Sequence, residues 1–77
     1  MSLEQRIEEA LVAGFAGAEV SLELSGNKAL IEVVSEIFSG KSRVERSKLV
    51  YQAIDGFIRT GELHAVTIRA QTPAEHG

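Results

Sequence analysis

The residue order predicts an α+β fold: a three-stranded mixed sheet with helices on one face, in the order α-β-β-α-β-α. Three observations carry this. Ala18–Leu24 and His64–Ala70 alternate apolar and polar residues with a period of two, as half-buried strands do. Ala29–Ser35 is apolar enough to lie in the middle of a sheet. Two further stretches each open with a capping box and then repeat apolar residues at helical spacing.

The first helix starts at Ser2-Leu3-Glu4-Gln5, where Ser2 and Gln5 can satisfy each other's orphan N–H groups. Leu3, Ile7, Ala10, Leu11 and Phe15 form its apolar stripe, and Gly14 and Gly17 close it. After the first strand, Ser25-Gly26-Asn27 supplies a hairpin turn, because Gly and Asn tolerate positive φ. Glu36-Ile37-Phe38 reads as one short helical turn ended by Ser39-Gly40. The main helix begins at the capping box Ser42-Arg43-Val44-Glu45. Its core stripe is Val50, Ala53, Ile54, Phe57 and Ile58, with Leu49 at the margin and Gly61 as the stop. Thr72-Pro73-Ala74-Glu75 is a last short helix with proline at its first position.

Seventy-seven residues, 44% of them apolar, suit a single domain spanning 1–77 with no linker or repeat. No apolar run is long enough for a membrane span, and the absence of cysteine fits a cytoplasmic setting. The same absence excludes thiolate metal sites made by this chain alone. A net charge of −3 argues against strong non-specific phosphate binding.

Against that acidic background, four of the eight basic residues (Lys41, Arg43, Arg46 and Lys48) fall within the eight positions 41–48. Arg43 and Arg46 point the same way as Val50, Ile54 and Phe57, and cations in a first turn oppose the helix dipole. Two readings follow: the arginine stems snorkel over apolar surface, or the run accepts an acidic partner, phosphates or a cluster-bound glutathione. His64 shares the parity of Val66 and Ile68, which places it on the core side at the first position of its strand. Spacing alone makes it structural. A metal role would need most of the ligands from another chain, since common sites take about four. Nothing supports catalysis: there is no nucleophile elbow and no phosphate-cradling glycine loop. Glu8, Glu9 and Glu23 read as solvated, and Phe38 and Tyr51 as too few and too core-like for base stacking.

Phe38-Ser39-Gly40, Ser42-Arg43-Val44, Val50-Tyr51, His64-Ala65-Val66 and Thr72-Pro73-Ala74-Glu75, in this order and spacing, resemble the BolA family in its short Gram-negative form. The resemblance implies a class II KH-like fold without the GxxG loop. It further implies a non-enzymatic partner of a monothiol glutaredoxin, sharing a [2Fe-2S] cluster in a heterodimer for iron–sulfur trafficking or iron and redox sensing. The cluster would be held by glutaredoxin and glutathione thiolates together with His64. A second family ligand, His or Cys in the loop between the first two strands, falls here on Lys28, which has no lone pair at neutral pH. The family is also associated with transcriptional regulation, and the alternative it implies is DNA binding through Lys41, Arg43, Arg46 and Lys48.

Overall fold

A computed structural model describes residues 1–77. Helix α1 (Leu3–Gly14) leads into the hairpin of β1 (Glu19–Ser25) and β2 (Lys28–Val34). A single 3-10 turn (Glu36–Phe38) and helix α2 (Arg43–Arg59) then carry the chain back to β3 (Ala65–Gln71), and the four-residue helix α3 (Pro73–His76) follows. The sheet order is β1-β2-β3, with β1 antiparallel and β3 parallel to β2. A parallel pair needs a long crossover, and α2 provides it.

The expected architecture and order are observed, with strand boundaries shifted by one residue. The alternation becomes three rows across one sheet face: Val20–Val33–Ala70, Leu22–Ile31–Ile68 and Leu24–Ala29–Val66. Ile7 and Leu11 of α1 and Val50 and Ile54 of α2 close over these rows, and all four are fully buried. Phe38 is also fully buried and meets Phe15 with ring centroids 5.6 Å apart. The anchoring of the 3-10 turn is thus a core contact, helped by Ser35, whose hydroxyl accepts from the Ile37 N–H at 3.2 Å.

Both expected capping boxes form, at Ser2 and Ser42, and a third closes at Thr72. In the hairpin only Gly26 uses positive φ, at +60°, so Asn27 contributes something other than backbone freedom. Gly14 does more than end a helix. A Cβ built there would sit 3.3 Å from Ala53 Cβ, so the glycine sets how closely α1 approaches α2. Ile58, expected in the core stripe, is 37% exposed. Ile58 does not pack against the core as Phe57 does, and Leu63 is buried at 1% exposure instead. No helix is long and apolar enough to cross a membrane.

Candidate functional site

His64 lies just before β3 rather than within it, and its side chain is exposed, not on the core side. The physical reason is a bend at Glu62–His64 that breaks the strand parity. The Leu63 N–H donates to the Phe57 carbonyl at 3.1 Å, which turns the Leu63 side chain into the core and its neighbour outward. The His64 N–H then donates to the Asn27 carbonyl at 2.9 Å, and the Ala65 N–H reaches the same oxygen at 3.4 Å. Asn27 therefore ties the hairpin turn to the start of β3. Lys28 stands in register with Ala65, so Lys28 and His64 occupy one end of the sheet.

The surroundings of His64 are sparse. A Cβ on Gly61 would lie 3.7 Å from His64 Nε2, so the imidazole rests over a glycine with no bulk against it. The nearby Glu62 carboxylate is already engaged: Thr60 Oγ1 donates to it at 2.8 Å and Arg6 Nη1 at 2.8 Å, and these bonds, the Thr60 one first, hold its pKa below the usual value. Arg6 also stacks over Phe57, 5.3 Å from the ring centroid. No group of three or more His, Asp or Glu side chains could hold a metal ion. The side chains gathered here could not complete a metal site by themselves, so any metal group bound at His64 would need further ligands from elsewhere.

The basic run lies elsewhere. Because α2 runs antiparallel to β3, its first turn stands at the far end of the sheet, about 25 Å from its last turn at 1.5 Å per residue. Lys41, Arg43, Arg46 and Ser47 line a groove along β3 with Thr67, Arg69 and Gln71. Lys48 is exposed outside that groove.

Within the run, Arg46 differs from the other three. Its side chain is only 15% exposed, its Nε donates to the Lys41 carbonyl at 3.0 Å, and Nη1 donates to the Ala70 carbonyl at 3.2 Å. Its two terminal nitrogens then grip Glu75, at 2.6 and 3.2 Å. This two-pronged, charge-assisted contact, followed by the Thr72 N–H, holds the Glu75 carboxyl down to about 2. Arg46 thus clamps α3 to α2. Snorkelling describes its stem, while its head makes four hydrogen bonds inside the chain. Lys41, Arg43 and Lys48 make no ion pair. Sequence reasoning missed the clamp, although Arg46 and the short Thr72–Glu75 helix were each visible alone.

This geometry has known counterparts. The chain matches the BolA family of BolA-like proteins over residues 19–75. The chain belongs to the BolA family. It is 39% identical over 71 residues to a protein from the rpoN-murA intergenic region of Acinetobacter guillouiae, covering 92% of this chain and 86% of that one. It is 35% identical over 69 residues to the acid stress protein IbaG of Escherichia coli K12, covering 90% and 82%. Among solved BolA structures, BolA1 from Arabidopsis thaliana superposes with a TM-score of 0.87 at 28% identity, covering 97% of this chain and 96% of that one. The BolA domain of SufE1 from the same plant gives 0.87 at 32% identity, again covering 97% and 96%. In the SufE-like protein 1 of that plant, the matched region is 18% of the whole chain.

Proposed function

We propose that this BolA-family chain is a non-enzymatic adaptor that pairs with a monothiol glutaredoxin and shares a [2Fe-2S] cluster through His64. The observation that carries the reading is an exposed imidazole at a sheet end, in a chain with no cysteine and no ligand cluster of its own. A lone, accessible donor is what a shared centre requires from one of two partners; a resident site would gather several. The likeness to the BolA domain of SufE1 adds support from the family side.

The residues divide the work as follows. His64 offers one ring nitrogen, and Asn27 fixes its backbone. Lys28, at the same end, holds the place of the family's loop ligand and offers a positive charge to the glutathione carboxylates. The partner glutaredoxin and glutathione bring the thiolates. His64 would place one imidazole in a ligand set otherwise made of thiolates, which would make the two irons of such a cluster inequivalent and raise its potential. DNA binding draws less support, because Arg46 is engaged by Glu75 and leaves Lys41, Arg43 and Lys48 for phosphates.

The test is anaerobic reconstitution of the chain with a monothiol glutaredoxin, glutathione, iron and sulfide, followed by gel filtration. A coloured heterodimer is expected. A coloured glutaredoxin homodimer eluting apart from a colourless BolA-family chain would contradict the proposal.

A further inference from the structure

The groove at the start of α2 has a feature that neither His64 nor Arg46 accounts for: it runs along an unpaired strand edge. β3 is the last strand of the sheet, with β2 on one side and no strand on the other. Backbone groups in a parallel ladder alternate between the two sides. The Gln71 carbonyl accepts from the Ser35 N–H, on the β2 side, while the Ala70 carbonyl is directed outward to Arg46. By that alternation Val66 and Ile68, of the same parity as Ala70, present their N–H and C=O outward. Arg46 blunts only the end of this edge. Such edges are usually covered or charged, because they template pairing with another chain.

The unpaired charge around the edge is positive, since the Glu75 carboxylate that also lines the groove is already gripped by Arg46. Lys41 and Arg43 stand on the α2 side without ion-pair partners, and Arg69 stands on the open sheet face, meeting Glu32 at a loose 3.4 Å. Leu30, 40% exposed, and Ile68 add apolar surface within the same groove. The opposite sheet edge is β1, which carries Glu19 and Glu23 on the open face.

We infer that the β3 edge is a docking site for an extended acidic segment of a partner protein, which adds a fourth strand and places carboxylates against Lys41 and Arg43. Two observations favour a peptide over nucleic acid. A strand edge offers alternating donors and acceptors, which a peptide backbone matches and a phosphodiester, having only acceptors, does not. The groove also has no aromatic ring for a base to stack on. Every second side chain of the added strand faces α2, so acidic residues at alternate positions are the recognised pattern. The site stands apart from the cluster proposal, and its test uses the chain alone, without glutaredoxin or iron.

The probe is a fluorescein-labelled ten-residue peptide of alternating Thr and Glu, titrated into the 15N-labelled chain. Saturable binding is expected, with the Ile68 amide shifting and becoming protected from hydrogen exchange. Arg43→Glu should weaken binding by about tenfold, and it suits the helix dipole, so the loss would not reflect unfolding. The same peptide N-methylated at alternate amides should also bind about tenfold more weakly, having lost its ladder donors. Equal affinity for the N-methylated peptide would overturn the proposal, since it would leave charge without strand pairing. So would tighter binding of a DNA duplex at the same amides, self-association of the chain through this edge, or no binding at about 1 mM peptide.

Discussion

Leu63 and His64 are neighbours with opposite fates, and the bend that separates them decides where chemistry is available. Leu63 is 1% exposed while His64 is out in solvent, so the two should respond oppositely to truncation. Leu63→Ala is expected to cost about 2–5 kcal/mol, and His64→Ala less than about 0.5 kcal/mol, by urea unfolding. Equal losses would mean that His64 carries structural weight. Parity counting pointed His64 inward because it assumed that β3 had already begun; the Leu63 N–H bond to Phe57 that delays it has no local sequence signature. Glu75 supplies a prediction in pH. Its carboxyl is held at about 2 in the fold against an ordinary 4.5, so its contribution is complete above pH 4.5 and is lost as pH falls towards 2. Glu75→Gln should flatten the stability profile across that window. An unchanged acid limb would show that the Arg46 contact is not linked to folding.

Among the elements, α2 does most to organise the molecule: it caps itself, closes the core and separates the two ends of the sheet. Ser42 accepts from the Glu45 N–H at 3.2 Å, and Glu45 returns a bond from the Ser42 N–H at 2.9 Å. Ser42→Ala should therefore cost about 1 kcal/mol, read from the thermal midpoint; no change would place the stability of the first turn in tertiary contacts. Legibility followed the range of each cause. Capping boxes, strand alternation and the Gly26 turn are local, and the residues announced them. The stripe of α2 was read correctly through Val50 and Ile54 but carried too far to Ile58, because helical periodicity does not reveal which turns the neighbouring elements cover. Gly14 looked like a stop signal, while its tight place against Ala53 depends on a helix crossing that no local pattern encodes.

Taken as one body, the chain keeps two kinds of surface at opposite ends of α2. One holds His64 with Lys28 and Asn27, and the other holds Lys41 and Arg43 beside a free strand edge. Lys41, Arg43 and His64 belong to the one segment 38–64, and the antiparallel run of α2 against β3 is what pulls them apart. The family could be named from five short motifs because their order and spacing reflect the whole fold. The proposed partner could not be read from composition, since the thiolates that the proposed cluster would need are absent from this chain. His64 is the ligand that we propose this protein contributes. The visible circular dichroism spectrum of the complex with monothiol glutaredoxin and glutathione tests this most directly, comparing the wild-type chain with His64→Ala. The prediction is that the substitution abolishes or reshapes the cluster bands while the chain stays folded; an unchanged spectrum from an intact complex would contradict it.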